Sequence, residues 1–236
     1  MSVIPLPCAS PAPTITGMPD ASAHHLPPVT TRQAVRNTAL VVVAPLTLAA
    51  FGLVHPGGLR PSTGAAWTEL HVWLIPVWPL LALGLVVPLW GQPRRDAAGI
   101  ATVLAWTGAF GYATFYTGLD AVAGIGAGVA QENGGPRARE VINPLFHLGD
   151  ALGQAGVVCL GAGVTAASVA LLLRHGVRVL PGTAVLLVCC WSFYDSHIFM
   201  PRGVWTMLGF ALGFALFVLA TAARRGPGTP SSRPED

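Results

Sequence analysis

The sequence predicts an all-α fold: a polytopic integral membrane bundle of about six transmembrane helices. Of its 236 residues, 53% are hydrophobic and only 10% charged, against about 25% charged in soluble domains. The apolar residues are gathered into runs approaching the roughly 20 residues that cross a bilayer. The segments between the runs are short and carry the Gly, Pro and Arg that stop helices and mark membrane surfaces. The formal charge of +3 is too small to point to nucleic acid, so the lipid bilayer is the expected partner.

Residues 1–31 are rich in Pro, Ala, Ser and Thr and lack apolar periodicity. They read as a disordered cytoplasmic tail rather than a signal peptide, and residues 226–236 read as a second one. The six-helix domain is expected over 32–225. Arg32 and Arg36 precede the first run, Thr38 to Val54, which His55-Pro56-Gly57-Gly58 stops. The second, Ala65 to Trp90, contains Pro76, Pro79 and Pro88, which predict a kink. The third begins near Ala97 and is apolar to Gly118; Asp120 follows, and the small-residue stretch after it, Ala121 to Ala130, fits a helix extension or a surface-lying segment. Gly124 and Gly128 there have the spacing that allows close helix packing. Asn143-Pro144 reads as an N-cap with proline at the first helical position, opening a fourth helix closed by Arg174-His175-Gly176. The fifth runs from about Val179 to Trp191 or Tyr194, and the sixth from Gly203 to Ala222.

Arginine placement sets the orientation. With the N-terminus inside, nine of the thirteen arginines lie on inner segments (Arg32, Arg36, Arg94, Arg95, Arg174, Arg178, Arg224, Arg225 and Arg233). A multi-pass protein of the cell membrane with both termini cytoplasmic follows. Trp67, Trp73 and Trp90 suit aromatic belts.

On that topology His55, Glu69, His71, Asp120, His147, Asp150, Gln154, Asp195 and His197 all fall on the outer side. The inner counterparts are Asp96 and His175. His147, Asp150 and Gln154 are spaced to share one helix face, which is expected to point into the bundle. Ionisable groups at a bilayer are costly unless paired, solvated or used. The candidate metal ligands are therefore His55, His71, His147 and His197, with Asp150 and Asp195 as candidate catalytic carboxylates. Arg202 is the candidate group for binding substrate. Imidazoles with carboxylates suit zinc, copper or iron. Haem held by two imidazoles is the alternative cofactor, with Gly111, Gly118, Gly124 and Gly126 leaving room for it. The predicted function is a metal- or haem-binding membrane enzyme or redox protein. A small-solute transporter or an accessory subunit is the alternative. No HExxH, GxSxG or CxxC motif is present, and neighbouring Cys189 and Cys190 read as small hydrophobes.

Overall fold

The computed structural model describes residues 30–92 and 95–222. The expected tails lie outside the described residues, except that Thr30 and Thr31 cap and open the first helix. The described chain is helical throughout, in nine α-helical segments numbered α1 to α9. Four helical stretches are long and apolar enough to cross a membrane, or five if one bent pair forms a single span.

The Thr30 side chain accepts from the Gln33 backbone N–H and starts α1 (Thr31–Val54). The helix stops where His55 turns extended ahead of Pro56, since the residue before a proline disfavours helical geometry. The second run is broken, as its prolines predict. α2 (Gly64–Leu74) ends in a turn around Pro76, and α3 (Trp78–Leu81), α4 (Leu83–Val86) and a 3-10 turn (Val87–Leu89) complete it. The two halves meet at 44°.

Asp96 caps α5 (Ala97–Leu119), accepting from Gly99 N at 2.7 Å. The chain then stays helical through a π-helical segment, Asp120–Gly126, into α6 (Ala127–Asn133). The small-residue stretch is thus a helix extension. Gly124 and Gly128 do serve close packing: a Cβ at Gly124 would collide with the His71 ring, and one at Gly128 with the Thr68 hydroxyl.

α7 (Ala138–His175) begins well before Asn143, and Pro144 lies inside it, which corrects the expected N-cap. Pro144 is the seventh residue of this helix, past the first four whose N–H groups lack an intrahelical partner, so the helix forgoes one backbone hydrogen bond there. The start is instead made by the 3-10 turn Gly135–Arg137, which carries Pro136. Gly176, at φ 71°, ends α7. α8 (Leu180–Phe193) then folds back along it, with Thr183 Oγ1 donating to Ser168 Oγ at 2.9 Å and Gly161 facing Cys190. The 59-residue helical stretch Gly135–Phe193 is therefore a hairpin. A turn over Tyr194 to Pro201 leads into α9 (Arg202–Ala222).

Leu48, Leu74, Trp78, Leu85, Tyr112, Leu160, Phe193, Phe210 and Phe214 form the centre of one core. Phe110, Trp191 and Trp205 are among many large apolar side chains left on the outside, a surface suited to lipid rather than water. Trp67 departs from its expected place in an aromatic belt: it is 5% exposed, and its indole N–H reaches Ala123 O at 3.3 Å. α6 and the start of α7 form a second, smaller cluster with Leu59, through Ala127, Ala138 and Ile142. This lobe covers the end of the bundle at which the histidines gather. At the other end Arg174 pairs with Asp96 at 3.1 Å and donates to Gln92 O at 3.0 Å.

Candidate metal centre

Three of the four candidate imidazoles come together. One ligand atom from each of His55, His71 and His197 lies within 4.8 Å of the other two. The ring centroids of His55 are 5.1 Å from His71 and 5.8 Å from His197. His71 and His197 are nearly parallel, 6.3 Å apart. Two ligands bound about 2.1 Å from one ion stand about 3.0–4.2 Å apart for bond angles from 90° to 180°. Small side-chain rotations would bring the set to that spacing.

Each ring comes from a different element. His55 is the residue at which α1 ends, His71 projects from the last turn of α2, and His197 lies in the turn after α8. His197 is the only non-glycine residue with positive φ among those described, at 44°, a conformation histidine enters more readily than most residues. The turn is held tightly. A Cβ at Gly52 of α1 would strike the Ile198 carbonyl, and a Cβ at Gly203 of α9 would strike the backbone of His197 and Ile198. Two helices thus clamp the residue next to His197 from either side.

Hydrogen bonds orient the rings. His71 Nδ1 is 2.7 Å from Trp67 O, and His55 Nδ1 is 2.9 Å from Pro56 O. A carbonyl only accepts, so both Nδ1 atoms carry the proton and both Nε2 atoms present a lone pair. His197 Nδ1 is 2.8 Å from the Tyr116 hydroxyl. With Nδ1–H donating to that oxygen, the third Nε2 is also free. Metal-binding histidines are characteristically held through their second nitrogen in this way. His55 Nε2 is buried with no hydrogen-bond partner. Burial lowers the pKa of His55 and of His197 below the ordinary histidine value; for His197 the neighbouring His55 and His71 add to the effect. Both therefore favour the neutral form that binds metal.

The surroundings are aromatic. His55 packs edge-on against Trp67 at 4.9 Å and Phe199 at 4.4 Å. His197 lies 5.3 Å from Trp78. These aromatic rings pack directly against the imidazoles. Of the four glycines expected to leave room, Gly124 faces His71 and a Cβ at Gly111 would come within 2.8 Å of Cys159 Sγ, whereas Gly118 and Gly126 have only ordinary contacts. The three imidazoles form a site able to coordinate a metal ion.

His197 also borders a cleft of about 300 Å³ lined by Tyr116, Gln154, Tyr194 and Phe199 together with Asp150 and Asp195. Both candidate carboxylates thus lie in the wall of a cleft that reaches the centre. His147 does not join the three imidazoles. It shares a helix face with Asp150 and Gln154 as its spacing predicts; all three are exposed, and of that face Asp150 and Gln154, but not His147, line the cleft. Arg202 pairs with Asp195 at 2.6 Å and donates to Ser192 Oγ at 3.2 Å. Two neighbours of the centre were not among the candidate site residues. Tyr116 sits in an apolar run with no signal of its role. Asp120 was visible as an outer-side acid, but nothing in its spacing tied it to His71, whose Nε2 lies 3.9 Å from Asp120 Oδ1.

Comparison of the chain with known protein families, with characterised proteins and with solved structures gives no match. The functional reading rests on the site itself.

Proposed function

We propose that this protein is a metal-dependent membrane enzyme whose transition-metal ion is held by the imidazoles of His55, His71 and His197. The observation that carries the reading is the convergence of three imidazoles, at least two with Nδ1 committed to a backbone carbonyl, which leaves Nε2 available to bind. Zinc, copper and iron all accept imidazole. A three-histidine set leaves a coordination position for water or substrate, where the ion acts as a Lewis acid or activates bound water. The cleft beside His197 is the substrate entrance in this reading. Asp150 and Asp195 in its wall are the groups to move a proton, and Arg202 at its rim holds Asp195 and attracts anionic groups on a substrate.

The reading includes six membrane crossings, counting the bent pair as one and the α7–α8 hairpin as two. Both tails, 1–31 and 226–236, are cytoplasmic and the metal centre lies at the outer end. Metal analysis tests the proposal. Full-length protein purified in detergent and loaded with Zn(II) is expected to retain about one ion per chain. His55→Ala, His71→Ala and His197→Ala are each expected to lose it, while His147→Ala keeps it. A wild type that binds no Zn(II), Cu(II) or Fe(II), or alanine variants that bind as well as wild type, overturns the assignment.

A further inference from the structure

The Asp120 carboxylate is the least expected group in the bundle. It has no exposed surface, and neither of its oxygens has a hydrogen-bond partner among the described residues. The Trp78 indole N–H faces it but falls outside ordinary hydrogen-bond geometry. A buried carboxyl left in this way must either keep its proton or gain a cation, since the bare carboxylate is destabilising by several kcal/mol in order of magnitude. No arginine fills that place. The arginines that form the described ion pairs, Arg174 and Arg202, pair with Asp96 and Asp195.

The neighbour Asp120 does have is a candidate metal ligand. Its Oδ1 stands 3.9 Å from His71 Nε2. Because His71 Nδ1 donates its proton to Trp67 O, the neutral ring turns a lone pair toward the carboxylate. Two electron-rich atoms then face each other. The gap is too long for a proton to bridge as a hydrogen bond, which needs about 2.7–3.2 Å. It falls inside the about 3.0–4.2 Å that separates two ligands of one ion. Asp120 also opens the π-helical segment Asp120–Gly126, and single π turns inside α-helices are frequent at functional sites. The same segment supplies Gly124, against which the His71 ring rests. One local distortion thus sets both the carboxylate and its imidazole.

We infer that Asp120 is a fourth protein ligand, so that the centre takes a divalent first-row ion through three imidazoles and one carboxylate. This rests on the three-imidazole reading above. The two burial problems then solve each other: the carboxylate gains a cation, and the dication gains a counter-charge that three neutral rings cannot supply. A hard oxygen ligand also disfavours Cu(I), which prefers soft donors. With four protein ligands, water or substrate would bind by expansion to a fifth position, as such metal sites allow.

Cobalt(II) is a suitable probe because its visible absorption reports ligand type and coordination number. Full-length wild type, Asp120→Asn and Asp120→Glu are stripped with chelator and titrated with Co(II), and separately with Cu(I). Asp120→Asn is expected to bind Co(II) at least tenfold more weakly, with a changed spectrum, and to lose much less Cu(I) affinity. Asp120→Glu, which keeps the carboxylate, is expected to recover part of the Co(II) affinity with a shifted spectrum. Wild-type Co(II) affinity and spectrum in Asp120→Asn overturn the inference while leaving the three imidazoles in place. If Asp120→Asn does not fold, an Asp120→Glu spectrum identical to wild type overturns it. A wild type that binds no Co(II) overturns the three-imidazole reading and this inference with it.

Discussion

At the scale of single residues, the centre depends on the atoms that hold the ligands as much as on the ligands. Two of the three imidazoles are fixed by backbone carbonyls, which no substitution removes. His197 is fixed by a side chain, the Tyr116 hydroxyl at 2.8 Å, so its support can be tested. Tyr116→Phe deletes one oxygen from a ring that is already fully packed against Phe193 and Trp78 and opens no cavity of consequence. Loss of such an outer partner typically costs 10–100-fold in metal affinity. A drop of about that size in Zn(II) affinity is expected, with the Tm of the metal-free protein little changed. Equal affinity in the two proteins would show that the Tyr116–His197 contact does not orient a ligand.

At the scale of elements, close helix approach makes the site, and glycine permits it. Gly52 and Gly203 admit the turn that bears His197, and Gly124 admits the His71 ring. Gly124→Ala puts a methyl where the imidazole lies, and overpacking of this kind costs about 1–3 kcal/mol. It is expected to lower both metal affinity and Tm. Gly57→Ala, which meets nothing within 4 Å, is the control and should leave both unchanged. Equal behaviour of the two variants would remove the proposed role of the π-helical segment in placing His71. The same elements show what the sequence makes legible. The Pro76 break, the Gly176 stop and the polar turn before α9 were readable because each follows from local backbone chemistry. The start of α7 departs from its local signal because Asn143-Pro144 has the chemistry of a helix start, whereas the chain already turns helical at Gly135–Arg137 and runs on through the proline. Helical spacing correctly put His147, Asp150 and Gln154 on one face, but spacing carries no information about which way a face points. Tyr116 and Asp120 became visible only through contacts made across 81 and 49 residues of chain, respectively, to His197 and His71.

At the scale of the whole molecule, the histidine cluster lies at one end of the bundle and the Asp96–Arg174 pair at the other, so under the proposed function the membrane orientation decides which compartment supplies ion and substrate. Arginine on cytoplasmic loops is the strongest determinant of that orientation. The His55 end carries Arg60, Arg137, Arg139 and Arg202, and the remaining nine arginines fall on the segments assigned to the opposite side. Arg202 is already committed to Asp195, which weakens its claim on the membrane potential and on lipid phosphate alike. The asymmetry therefore favours an outward-facing centre. Reporter fusions placed after Arg95, Arg178 and Arg225 are all expected to report cytoplasm, and fusions placed after Gly58 and Gly134 to report the outer side. The Arg178 position also tests the α7–α8 hairpin. If α8, with only 14 residues, failed to cross, fusions after Arg178 and before Arg202 would report the same side, and α9 would need to run in the opposite sense from the one its packing against α1 and α8 requires. Cytoplasmic signal after Gly58 would instead invert the bundle as a unit, leaving the metal geometry intact but opening the cleft to the reducing, metal-buffered interior.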